Sequence, residues 1–256
     1  MPPKTRPATR KRVPRAPTPR REPRRASPKV LLIGAAVVVA AVVGIVVALT
    51  LSGGTSTSST TPLPNAATVR QMLAGIPQHG NVLGAASAPV TMQEYLDPQC
   101  PYCRQFETHV FPNLLTKYVR AGKVKVEVRI LGFIGPDSVR GRQALIAAGE
   151  QNKLFQMLEL LYEDQGVENT GWLSQKEVER AASSIAGLDR AKLLAAMGSS
   201  AVTAQASRFD AEAQAAGVNS TPTILVGKSG GKLSVVNLAS DVDETAVDIA
   251  IAKAAR

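Results

Sequence analysis

The chain has 256 residues, of which 45% are hydrophobic, enough for one or two domains with an ample core, and it carries a net charge of +10. That charge sits in residues 1–29, which hold eleven of the 30 Lys and Arg and one acid, Glu22, so the remaining residues are charge-balanced. A neutral body behind a basic tail argues against a nucleic-acid-binding surface on the folded part.

Residues 1–29 are rich in proline and poor in large apolar side chains, so they cannot bury enough surface to fold alone. Residues 30–51, "VLLIGAAVVVAAVVGIVVALTL", contain no charge. At about 1.5 Å per residue they reach roughly 33 Å as a helix, which spans a hydrocarbon layer of about 30 Å. This predicts an uncleaved transmembrane anchor; the run is longer than a cleaved signal peptide calls for. The cations on its N-terminal flank place that end in the cytoplasm and the body outside it. Residues 52–79 open with "SGGTSTSSTTPLPNA" and are expected to form a flexible tether, with a helical turn in "TVRQMLAGI" before the main domain. The folded domain is expected over 80–256.

In "APVTMQEYL" (88–96), Val90, Met92 and Glu94 share one face and Thr91, Gln93 and Tyr95 the other. Apolar residues on both faces predict a central strand. A helix follows, with Cys100 at its N-terminus, Pro101 in the first turn and an apolar stripe through Phe106, Val110, Leu114 and Tyr118. Pro112 lies inside that stripe and should kink or restart the helix. "KVKVEVRIL" (123–131) alternates cleanly and predicts a second strand. Residues 138–217 read as an almost wholly helical block, with Ser174 and Glu177 spaced as a capping box. "PTILVG" (222–227) and "LSVVNL" (233–238) predict a hairpin across "KSGGK", and "DETAVDIAIAKAA" a closing helix. Strand–helix–strand implies a parallel pair, and strand–strand an antiparallel one, so the expected architecture is α/β with a mixed sheet.

The only two cysteines stand three positions apart in "DPQCPYCRQF". A disulfide between them closes too short a loop to stabilise much. A structural zinc site needs about four ligands, and only His79 and His109 are available to complete one, so no metal is expected. A thiol at a helix N-terminus meets the positive end of the helix and unpaired N–H groups, both of which favour thiolate. The pair therefore reads as redox-active, with Cys100 the exposed nucleophile and Cys103 the shielded resolving thiol.

"VTMQEYLDPQCPYCRQFE" together with "GVNSTPTILVG" resembles the DsbA-like thiol-disulfide oxidoreductases of the thioredoxin-fold superfamily, including their membrane-anchored Gram-positive relatives. The likeness covers about residues 80–256. It implies a thioredoxin-like fold with an inserted helical block, here preceded by one transmembrane helix. It also implies a cis bond before Pro222, beside the cysteines, with Thr221 offering backbone hydrogen bonds to an extended substrate peptide. Glu94 matches a buried acid that assists proton transfer at Cys103, and Pro101 and Tyr102 tune the redox potential. The expected function is introduction of disulfides into exported proteins outside the cytoplasm. No cofactor is implied, and re-oxidation requires a membrane partner. Reductase or isomerase chemistry is the nearest alternative; a metal carrier or a peptide-binding chaperone is the alternative from another class.

Overall fold

The computed structural model of the protein describes residues 61–256, which fall in one compact unit. The apolar run 30–51 and the tail before it lie outside the described residues. Among the described residues no helix is long and apolar enough to cross a membrane.

The first described elements correct the expected tether. Ala66–Leu73 is a helix (α1) that buries Val69 and Leu73. It is followed by two short strands, β1 (Gln78–His79) and β2 (Val82–Leu83). The fold therefore begins well before residue 80. The expectation failed because a two-residue strand has no periodicity, and an eight-residue helix gains its stability from the surface it packs on.

β3 (Val90–Leu96) is the buried centre of the sheet. β4 (Val124–Ile130) lies parallel to it, with Val90 opposite Val124 and Leu96 opposite Ile130. β4 alternates strictly between buried valine or isoleucine and half-buried charged residues, as its sequence pattern required. On the other side of β3 runs β5 (Thr223–Lys228), antiparallel, and it pairs with β6 (Ser234–Val235). β2 pairs antiparallel with β4 and β1 with β2, so the order is β1-β2-β4-β3-β5-β6. The mixed sheet was expected; its outer hairpin β1–β2 was not. β6 is shorter than the six residues expected because only Leu225 and Val226 offer it partners.

Four consecutive segments, Pro101–Gln105, Phe106–Val110, Phe111–Leu114 and Leu115–Val119, make one uninterrupted helical run, α2. Pro112 does not break it. The turns on either side widen to π geometry, which makes room where the proline ring crowds the preceding turn and its missing N–H leaves a gap.

The helical block comprises α3 (Pro136–Gly149), α4 (Leu154–Glu163), α5 (Gln175–Ser184), α6 (Arg190–Met197) and α7 (Ser200–Ala215). The turn between α3 and α4 places Asn152 at φ 55°, a conformation asparagine tolerates better than most residues. Ser174 caps α5 by accepting from Glu177 N at 3.3 Å, as the motif predicted. α8 (Glu244–Ala254) closes the chain and buries Val247 and Ile251.

Candidate active site

Leaving β3, the chain turns through Asp97, Pro98 and Gln99 and enters α2 at Cys100. Cys100 is the N-cap, with extended φ/ψ of −68° and 119°, and Pro101 occupies the first turn. Its Sγ accepts from the Cys103 backbone N–H at 3.4 Å, and as a thiol donates to the Thr221 carbonyl at 3.3 Å. The Thr221–Pro222 peptide bond is cis and leads directly into β5. One end of the sheet thus brings together Cys100, Cys103, Thr221 and Pro222 from positions 121 residues apart.

Cys100 is less open than its role suggested. It is only 4% exposed, because the Thr221–Pro222 turn lies over it, while Cys103 is fully buried. Tyr102, between them in sequence, is 59% exposed. Tyr102, Thr221, Pro222, Leu238, Ser240 and Asp241 line a shallow groove past the sulfur.

The two thiols have opposite acidities. The Cys103 thiol hydrogen bond is the main cause that pulls Cys100 down to about 6; the Thr221 side chain and the N–H groups of Cys103 and Tyr102 add to it, against the opposing effect of burial. Burial pushes Cys103 well above the ordinary thiol range, with its hydrogen bond to Cys100 a further cause. At neutral pH the reduced pair therefore holds one thiolate, on Cys100.

The match to the thioredoxin family model runs over residues 78–234, more than half of the chain, and contains both cysteines and Pro222. The chain belongs to the thioredoxin family. Within it, a probable disulfide bond formation protein D of Bacillus anthracis is 31% identical over 96 residues, 37% of this chain and 44% of that protein. Disulfide bond formation protein D of Bacillus subtilis is 26% identical over 168 residues, 64% of this chain and 72% of that one. The chain thus spans less than half the length of the B. anthracis relative. Crystalline oxidised BdbD from B. subtilis superposes with a TM-score of 0.61 at 22% identity, over 70% of this chain and 97% of that one. A thioredoxin-like oxidoreductase from Silicibacter pomeroyi gives 0.55 at 27%, over 72% and 96%.

Behind this thioredoxin-family dithiol lies a group of buried acids. Glu94, on β3, is fully buried on the face of Val90 and Met92, and neither carboxyl oxygen has a hydrogen-bond partner. Burial, then the proximity of Glu107, raises its pKa well above the carboxylate range. Glu107 on α2 and Glu159 on α4 are also buried and face one another, and burial raises both. Sequence reading missed these two. Glu107 was within reach, four residues past Cys103 on one helix; Glu159 is a single acid inside the apolar run "LFQMLELLY" with nothing to mark it.

The remaining candidates fall elsewhere. His79 is exposed on β1, and His109 is an exposed residue of α2 whose Nδ1 lies 3.0 Å from the Gln105 carbonyl. Among the described residues no three His, Cys, Asp or Glu side chains are grouped to hold a metal ion.

Proposed function

We propose that this chain is a thiol-disulfide oxidoreductase that introduces disulfides into exported proteins. The observation that carries the reading is the Cys100 sulfur, held at a helix N-terminus beside Thr221 with its acidity raised to about 6 while Cys103 stays protonated. A low-pKa nucleophile stabilises the reduced pair, so the disulfide is readily given away. The relatives named for disulfide bond formation support the same direction.

In the oxidised protein a substrate thiolate attacks Cys100 Sγ. The Cys100–Cys103 bond breaks and Cys103 leaves with the electron pair, taking a proton. A second substrate thiolate then attacks the substrate sulfur of the mixed disulfide and expels Cys100 as thiolate. The substrate is oxidised by two electrons and the pair reduced by two. Glu94, neutral in its buried setting, is the proton donor for Cys103 and its acceptor in reverse. The edge of Thr221 binds the substrate backbone, and Pro101 and Tyr102 modulate the potential. Returning the pair to the disulfide requires a two-electron oxidant, for which we propose a membrane partner.

The uncharged run 30–51 behind a basic flank supports a single-pass anchor, with the catalytic domain outside the cytoplasm. The deciding experiment equilibrates the full-length protein with glutathione and measures its reduction potential. A value near about −120 mV is expected; one near about −270 mV makes the protein a reductant instead. A pair that forms no disulfide at all overturns the redox assignment.

A further inference from the structure

Asp97 is fully buried three residues before the nucleophile, yet the thiol chemistry above makes no use of it. Its carboxylate accepts four hydrogen bonds. Oδ1 takes Gln99 N at 2.9 Å and Ser138 Oγ at 2.6 Å; Oδ2 takes Phe133 N at 2.7 Å and Ile134 N at 3.2 Å. Three of these donors belong to the segment that leaves β4 and starts α3, the root of the helical block. Gln99 continues the connection: its Nε2 donates to Ser138 Oγ at 3.0 Å, and its Oε1 accepts from Asn169 N at 2.9 Å. The backbone of the turn is held as well, by Tyr162 OH on the Asp97 carbonyl at 2.9 Å and Gln165 Nε2 on the carbonyls of Pro98 and Cys100 at 3.1 and 3.3 Å. Pro98 packs against Gly141 of α3 so closely that an added Cβ there would lie 2.8 Å from its ring.

We propose that Asp97 is a positioning residue that sets the place of the Cys100 sulfur by bracing the redox turn against the helical block. The physical reason lies in what surrounds Cys100. Its sulfur must sit at once within reach of the Cys103 thiol and N–H in α2 and of the Thr221 side chain in a separate segment, whose carbonyl the thiol also reaches. α2 can satisfy the first alone, but the distance to Thr221 depends on where the turn 97–100 delivers the helix start. A carboxylate with four acceptor directions filled, buried against a rigid helical block, fixes that delivery more tightly than a solvated loop could.

This inference rests on reading Cys100 as the nucleophile, and its test separates the two. The variants are Asp97→Asn, which turns one acceptor oxygen into an NH₂ facing donors, and Ser138→Ala, which removes a single donor from outside the dithiol turn. The Cys100 pKa is read in the reduced full-length protein from thiolate absorbance and alkylation, which need no oxidoreductase activity. For Asp97→Asn the acid dissociation constant of Cys100 should fall about tenfold, with a smaller fall for Ser138→Ala, and the glutathione equilibrium should move several-fold toward the disulfide. The sign discriminates. Loss of a nearby negative charge alone would strengthen the acid, so a weakened acid means displaced donors. Variants that lose thermal stability yet keep the wild-type pKa and potential overturn the proposal, as does a stronger acid. If Asp97→Asn does not fold, an unchanged pKa in Ser138→Ala overturns it. A wild-type protein that forms no disulfide would sink the redox reading, while the thiolate titration would still decide the role of Asp97.

Discussion

Lowering the pH of the reduced protein from 8 to 5 should quench Cys100 far less than it would an ordinary cysteine. With Cys100 at about 6, roughly 90% is thiolate at pH 7 and about 9% at pH 5; an ordinary thiol near 8.5 would be only about 3% ionised at pH 7. The alkylation rate should therefore fall about tenfold between pH 8 and pH 5, with its midpoint near 6. The same shift is a stability statement. A depressed folded pKa contributes stability that is complete above the unfolded value and is lost as pH falls through the folded one. At pH 7 the arithmetic gives about 1.4 kcal/mol, which partial contact with solvent through the groove reduces to about 1 kcal/mol. The assay is alkylation by iodoacetamide resolved by mass spectrometry, paired with denaturant unfolding of reduced and oxidised protein at both pH values. The oxidised form lacks the thiolate but shares the buried acids, so it is the reference. Cys103→Ala removes the leading cause of the shift, and the Cys100 midpoint should rise in that variant. An alkylation midpoint above 8 in the unmodified protein, or one unmoved by Cys103→Ala, would refute the reasoning.

Two further outcomes concern the buried acid and the N-terminal helix. Glu94 has its folded pKa raised by burial, so any stability it contributes is present at acid pH and is lost as pH rises through that value. Glu94→Leu should therefore stabilise the protein by about 1–3 kcal/mol at pH 7 in urea unfolding, with the gain shrinking as pH falls toward about 4.5, while slowing turnover; a destabilised variant contradicts the first part and a fully active one the second. Leu73→Ala, in α1, should cost about 2–4 kcal/mol, measured by thermal or denaturant unfolding, because Leu73 is buried. No loss would return that helix to the tether.

What the sequence determined by itself is what is local. The alternation of β4, the doubly apolar β3, the Cys100–Pro101 helix start and the Ser174 cap each follow from backbone period or from the needs of unpaired helix-end groups. Thr221–Pro222 was placed by likeness to known relatives, since the same two residues suit an ordinary strand entry. Tertiary structure decided the rest. α1 and the two-residue strands β1 and β2 exist only against their neighbours. The covering of Cys100 required a segment 121 residues away, and the meeting of Glu94, Glu107 and Glu159 required three elements to converge. Asp97 shows the division most sharply. Its place before the cysteines was plain in "DPQCPYC", but three of its four donors arrive from residues 133–138. Nothing in a chain's local pattern specifies which distant N–H groups a buried carboxylate will meet, because that is fixed only when the helical block closes on the sheet.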